Sequence, residues 1–163
     1  EYTTTFQVMP SMRLLWAAGP AAYRDHTCVY NCAYANIDST ESFAECLYIL
    51  MCGCGFGFGV SQKHTDKLPV VAEYGSEMLS EYIIPDSKEG WADSIKILMD
   101  ALYRGKDIPM DYSGIRPEGA RLGTMGGRAS GPAPLIRVHQ PNCRMCGIRG
   151  RSQKFADIII RFG

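Results

Sequence analysis

The sequence predicts an α/β fold, a partial barrel built from strands that alternate with helices, and three observations carry that expectation. Apolar residues make up 46% and charged residues 21% of 163 positions, the balance of a globular domain with a real core. Stretches of helical period and short β-friendly runs follow one another along the chain, the order produced by crossover connections in a largely parallel sheet. No internal repeat, long charge run or low-complexity linker divides the chain, so residues 1–163 read as a single domain.

Taken in order, Met9–Ala18 carries apolar residues near helical spacing and stops at Gly19-Pro20, a breaker pair. Thr27–Ile37 alternates and contains Val29, Tyr30, Tyr34 and Ile37, which predicts a strand. Asp38 and Glu41 stand at capping-box spacing ahead of an apolar helix over Phe43–Met51. Glycine then occupies every second position from Gly53 to Gly59, suiting a loop that runs into a strand where another backbone or a ligand comes close. Tyr82–Ile84 reads as a short strand ended by Pro85. A second helix starts in Asp86–Glu89, shows Trp91, Ile95, Leu98 and Leu102 on one face, and ends at Gly105. Tyr112–Ile115 is a further short strand. Gly119–Pro132 holds five glycines with Arg121, Thr124, Arg128 and Ser130 among them, and Gln153–Phe162 is helix or strand by periodicity alone.

Composition removes several classes of function. Seventeen basic and seventeen acidic residues cancel, so no net positive field draws the chain to nucleic acid or to an anionic membrane. The longest apolar stretch, around Leu47–Gly59, is short of a membrane span and full of glycine. Met9–Pro20 is interrupted by Arg13, Gly19 and Pro20 and does not read as a signal peptide; the first residue is Glu1, so the natural start is expected to be missing or processed. Seven cysteines, an odd number spread over helix-like and strand-like segments, point to a reducing cytoplasm and to thiols buried as small hydrophobes.

The residues that could carry chemistry are cysteines and glycine-rich loops. Neither loop contains Gly-Lys-Ser/Thr, so the phosphate-binding lysine of a kinase or ATPase loop is missing. Glycine-rich backbone can still cradle a phosphate or a base, with Arg121 and Arg128 adding charge and stacking; a plain flexible surface loop is the alternative. Cys52, Cys54, Cys143 and Cys146 make a four-thiolate set of a kind zinc accepts. Cys-x-Cys is an unusual half-site, however, and the four read as unconnected structural thiols. His26, His64 and His139 share no metal-ligand spacing and read as surface or hydrogen-bonded histidines. The Asp86–Glu89 cluster reads as helix-start chemistry that complements the macrodipole, not as an acid–base pair.

Three stretches together resemble one family. Met9-Pro-Ser-Met-Arg-Leu-Leu-Trp-Ala-Ala-Gly-Pro20 followed by Tyr30-Asn-Cys-Ala-Tyr34 is similar to the first motif of adenosylcobalamin-dependent (class II) ribonucleotide reductases. Leu47–Val60 resembles their first specificity loop, and Pro85–Trp91 with Ile115–Leu122 and Gly126–Pro132 resembles the helix and second specificity loop. The similarity covers roughly residues 7–135 and thins from Arg137 to Gly147.

The resemblance implies a ten-stranded α/β barrel, of which this chain is a part, that reduces ribonucleoside triphosphates through a cobalamin-initiated thiyl radical. Cys32 then corresponds to the first cysteine of the redox pair, donating hydrogen as the 2′-hydroxyl leaves and ending in a disulfide; a buried strand cysteine is the alternative reading. Ser11 and Met12 fall where the family binds substrate phosphate at a helix start, although a simple N-cap accounts for Ser11 equally well. Asn31, Arg128, Ala129 and Ser130 join them on the substrate side. Asp38, Gly55, Gly57, Arg121 and Thr124 fall near the deoxynucleotide effector, with capping as the other role for Asp38. A dithiol such as thioredoxin is the implied reductant. No segment resembles the loop with the radical cysteine or the second redox cysteine, so the chain alone is expected to be inactive and the cobalamin-binding elements to lie elsewhere. The rival from another class is a non-catalytic nucleotide-binding regulatory module.

Overall fold

The structure is a computed structural model and describes residues 2–73, 75–123 and 127–145. Two β–α–β units organise it. In the first, β1 (Cys32–Asn36) leads through α3 (Glu41–Met51) to β2 (Gly55–Gly59), which lies parallel to β1 with Cys32 opposite Gly55 and Asn36 opposite Gly59. In the second, β3 (Tyr82–Ile83) leads through α5 (Lys88–Tyr103) to β4 (Met110–Asp111), again parallel. Parallel neighbours need a crossover, and both helices supply one. The described residues thus hold two two-stranded parallel sheets, which makes the fold α/β.

The helices pack on each other because their apolar faces coincide. Phe43 from α3 meets Ile95, Met99 and Tyr103 from α5, with Ile37 just beyond β1 completing a buried cluster. Ile84, Ile115 and Leu135 form a second cluster beneath it. The face predicted for α5 is the one buried: Ile95 and Leu98 are inaccessible, with Trp91 and Leu102 partly covered. Ser87 caps this helix, its hydroxyl accepting from the Gly90 amide at 2.9 Å, and Gly105 ends it at a φ of +67°, a conformation that glycine adopts without strain.

Several local expectations need correction. Gly19-Pro20 does end α1 (Met12–Ala17), but Pro20 also opens α2 (Pro20–Arg24), where a first-turn proline loses no helical hydrogen bond. The strand expected over Thr27–Ile37 starts only at Cys32. Asp25 Oδ1 accepts the Thr27 amide at 3.0 Å, and this turn winds His26–Val29 into a 3-10 helix. The Asp38–Glu41 capping box is not formed. Ser39 Oγ accepts the Ser42 amide at 3.3 Å instead, while Asp38 pairs with Lys67 and Glu41 with Lys96. Tyr112–Ile115 is a turn, closed by the Ile115 amide on the Tyr112 carbonyl at 3.1 Å, and the paired strand lies just before it at Met110–Asp111. Asp111 takes the Ser113 amide at 2.8 Å and bends the chain away.

Two short elements connect the units: α4 (Gln62–Thr65) after β2, and α6 (Ala133–Met145) after the glycine-rich segment. The sequence reading did not anticipate α6. Its inner face carries Leu135 and His139 against the second unit. Gln153–Phe162 lies outside the described residues. No helix among the described residues is long and apolar enough to cross a membrane.

Candidate functional site

The two faces of the β1–β2 pair differ in kind. Side chains alternate along a strand, so Ala33, Ala35, Phe56 and Phe58 share one face, and Phe58 packs on the α3–α5 core. Cys32, Tyr34 and Asn36 share the other, each opposite a glycine: Gly55, Gly57 and Gly59. That face is open, with Cys32 and Tyr34 both exposed. The glycines make room for side chains of β1. A Cβ on Gly59 would sit 2.3 Å from Tyr34 Oη and 2.6 Å from Asn36 Oδ1, and one on Gly57 would sit 3.4 Å from the Tyr34 ring. Tyr34 Oη donates to Asn36 Oδ1 at 3.0 Å, which fixes the ring across the glycine floor. What approaches closely at Gly57 is therefore first of all Tyr34.

Cys32 is exposed where the other described thiols are not. Cys28, Cys52 and Cys54 are buried, and Cys46 is half-buried with its thiol pushed up to about 11 by burial. Asn31 precedes Cys32 on the surface and anchors it through its carbonyl, which accepts the Gly55 amide at 2.9 Å.

Behind the turn that leads into Cys32 lies a polar cluster that the sequence reading missed. Asp25 Oδ2 accepts from the Lys88 ammonium, from Tyr48 Oη at 3.2 Å and from the Cys52 thiol at 3.1 Å; Lys88 Nζ lies 3.3 Å from Cys52 Sγ. Burial alone would raise the Asp25 pKa, but the hydrogen bonds from Lys88, Cys52 and Thr27 outweigh it and hold the carboxyl well below its usual range. Burial likewise opposes the charge on Lys88, and its bonds to Asp25 and Cys52 outweigh that, keeping it an ammonium. Burial and the neighbouring Asp25 push Cys52 up to about 11, so it stays a thiol at neutral pH and is a poor nucleophile. Cys54 Sγ lies 3.1 Å from the Thr27 carbonyl and 2.9 Å from that of Tyr30, tying down both ends of the same turn. One signal for this cluster was legible: a lysine in the first turn of a helix opposes the macrodipole and calls for an anionic partner.

The remaining candidates fall at three places. Ser11 and Met12 open α1; Ser11 Oγ accepts the Leu14 amide at 3.2 Å, so the hydroxyl serves as a cap, and Met12 is exposed. Arg13 Nη2 donates to the Gly53 carbonyl at 2.6 Å, which brings this helix start to the Cys32 end of the sheet. Asp38 lies at the opposite, carboxyl end of β1, roughly 20 Å along an extended strand from Cys32. Gly119–Pro132 folds back on itself. The Gly119 amide donates to the Ala129 carbonyl at 2.9 Å, the Ala129 amide to Ala120 at 2.8 Å, and Arg121 pairs with Arg128 in an antiparallel bridge. Arg128 Nη1 donates to the Gly119 carbonyl at 3.0 Å, and Ser130 Oγ lies 3.4 Å from the Gly131 carbonyl. Thr124 lies outside the described residues. Cys32, Asn31, Gly55 and Gly57 are thus brought together, with α1 beside them; Asp38 and the arginine hairpin stand apart.

Comparison with known proteins explains the arrangement. A family model described as the insertion domain of B12-dependent ribonucleotide reductase matches residues 61–142. An adenosylcobalamin-dependent ribonucleoside-triphosphate reductase of Euglena gracilis is 33% identical over 141 residues, which is 81% of this chain. The chain belongs to the B12-dependent ribonucleotide reductase family. It spans 19% of the length of the Euglena relative. A reductase of the same description from Lactobacillus delbrueckii is 30% identical over 124 residues, 55% of this chain and 17% of the relative. A crystal structure of a B-12 dependent (class II) ribonucleotide reductase superposes with a TM-score of 0.74 at 24% identity, over 96% of this chain and 30% of that one, and so shares its fold.

The names of these relatives carry adenosylcobalamin dependence. The described residues do not fit that cofactor. The open face is two strands wide, too narrow to seat a corrin, and His139 is buried with both ring nitrogens engaged, by Ser94 Oγ at 3.2 Å and Tyr112 Oη at 2.8 Å. Among the described residues no group of three or more His, Cys, Asp or Glu side chains gathers as a metal site.

Proposed function

We propose that this chain is the part of a class II ribonucleoside-triphosphate reductase barrel that carries one redox cysteine, Cys32, and two loops that face nucleotides. The observation that supports it is the position of Cys32: an exposed thiol on the open face of a parallel sheet, opposite a glycine, while the other described cysteines are covered. A thiol that must meet a ribose and later a reductant has to be accessible from that face. Family resemblance supplies the chemistry. The ribose loses its 2′-hydroxyl as water and gains hydrogen; two thiols supply the two electrons and join as a disulfide, Cys32 being one of them and a cysteine outside this chain the other. A dithiol of the thioredoxin kind then restores both thiols by exchange.

The two β–α–β units are read as consecutive portions of the ten-stranded barrel. α5, inside the segment matched by the insertion-domain model, shares a core with α3 outside it, which favours one domain over residues 1–163. Ser11, Met12 and Asn31 lie at the Cys32 end of the sheet and are assigned to substrate, together with Arg128, Ala129 and Ser130. Asp38, Gly55, Gly57, Arg121 and Thr124 are assigned to the deoxynucleotide effector. Adenosylcobalamin binds elsewhere in the protein, and the setting is cytoplasmic, where thiols stay reduced.

The test is Cys32→Ser in a full-length reductase carrying this segment. Serine keeps the shape but cannot form a disulfide, so nucleotide binding persists and repeated turnover with a dithiol stops. Multiple turnovers at the unsubstituted rate would reduce Cys32 to a structural thiol.

A further inference from the structure

The sequence reading treated the start of α5 as ordinary helix-start chemistry, yet its charged side chains reach out to two separate places. Lys88 pairs with Asp25, whose other oxygen holds the Thr27 amide in the turn that delivers Cys32. Two residues earlier, Asp86 holds Arg116: Nε donates to Oδ2 at 2.7 Å and Nη2 to the Asp86 carbonyl at 3.3 Å. Arg116 lies just before Gly119, where the glycine-rich hairpin closes on Ala129. Between the two arms the backbone has no slack. A Cβ on Gly90 would sit 2.5 Å from the Pro85 carbonyl oxygen, and Ser87 caps the helix at this point. Beyond it α5 is locked into the core by Ile95, Leu98 and Met99.

We propose that Lys88 and Asp86 are positioning residues that fasten the Cys32 turn and the glycine-rich hairpin to one rigid frame, the buried start of α5. This deepens the reading of Cys32 as the reacting thiol and rests on it. The physics is local. Removing Lys88 leaves a largely buried Asp25 carboxylate with only neutral donors, and the turn it organises loosens. Removing Arg116 frees the base of the hairpin and leaves the Asp25 turn in place. Because the frame is rigid, each arm fails by itself. A helix that only contributed general stability would loosen both segments together when either pair was cut.

The 163-residue chain itself serves for the test, through hydrogen exchange and the rate at which iodoacetamide alkylates Cys32, mapped by mass spectrometry. In Lys88→Met, amides over residues 25–32 exchange roughly tenfold faster and Cys32 alkylates faster, the expected effect of losing one charge-assisted hydrogen bond. Residues 115–122 stay at wild-type protection. Lys88→Arg keeps the ion pair and restores both readouts. Arg116→Met gives the converse, a loosened 115–122 segment with an unchanged Cys32 rate. Asp25→Asn reports on the first arm independently if Lys88→Met does not fold. Exchange rising evenly over the whole chain, or a Cys32 rate that ignores both Lys88→Met and Asp25→Asn, overturns the proposal. None of these measurements needs turnover, so their failure is distinct from a Cys32→Ser enzyme that still cycles.

Discussion

His139 should make this chain acid-labile in a pH window of its own. The ring is buried against Ser94 and Tyr112, and its tautomer follows from the hydrogen bonds. Ser94 Oγ donates to the Trp91 carbonyl at 2.7 Å, so its oxygen is free to accept Nε2–H at 3.2 Å; Nδ1 then accepts from Tyr112 Oη at 2.8 Å. A second proton has no acceptor in that arrangement and no water around it, and burial lowers the pKa from 6.5 to about 4. Between those two values the unfolded chain binds the proton and the folded chain does not, so stability falls as pH falls. The contribution is complete above 6.5 and gone below about 4. A difference of about 2.5 units corresponds to about 3 kcal/mol, a large share of the 5–15 kcal/mol typical of a domain. Urea unfolding followed by circular dichroism at pH 7 and at pH 4.5 measures it. His139→Leu loses the hydrogen bond from Tyr112 and is less stable at pH 7, but most of its pH dependence in this window should vanish. Asp25, held below its usual range, titrates beneath the window and does not confuse it. A leucine variant with the wild-type slope between pH 6.5 and 4.5 would refute the assignment.

Gly59→Ala forces a methyl group against Tyr34 Oη and Asn36 Oδ1 and should cost about 1–3 kcal/mol; in a Tyr34→Ala background much of that cost should disappear, and an unchanged cost would mean that the ring does not need the glycine floor. Fixing a glycine-rich loop costs about 1–2 kcal/mol per residue, so nucleotide binding to Gly119–Pro132 in this chain by itself should be weak. In a full-length reductase, deoxynucleotide effector and substrate together should slow hydrogen exchange there and Arg128→Ala should disturb substrate choice; exchange that ignores both ligands would leave the hairpin a connector. Deoxynucleotide formation by the 163-residue chain with adenosylcobalamin and a dithiol should not exceed a cobalamin-free blank, and turnover above it would mean that the missing radical cysteine is not needed.

The helices were the most legible part of the fold. α5 announces itself through one apolar face, a serine cap and a closing glycine, all local signals, and the structure has all three. Strand limits were less legible because side-chain hydrogen bonds decided them. Asp25 on the Thr27 amide converts a β-prone stretch into a 3-10 turn, and Asp111 on Ser113 ends β4 where hydrophobicity would continue it. α6 was missed because neither resemblance nor pattern marked it, and its place depends on burying Leu135 and His139 under the second unit.

For the candidate site, sequence alone singled out Cys32, the alternating glycines and the arginine-bearing loop, since motif spacing and glycine content are local properties. It also placed the chain in its family before any fold was known. Only the tertiary structure decided which cysteine is accessible, because burial is a property of what packs on top: Cys52 and Cys54 sit two and four residues before Phe56 in the same glycine-rich run, yet both are covered while Cys32 is open. Only the structure showed that the glycines of β2 accommodate Tyr34 and Asn36, since the register between β1 and β2 is set by a crossover of eighteen intervening residues, Ile37–Cys54. And only the structure joined Asp25 to Lys88, 63 residues apart, because a charge pair across that separation forms when packing of α5 carries the lysine to the carboxylate, a distance over which no local pattern can speak.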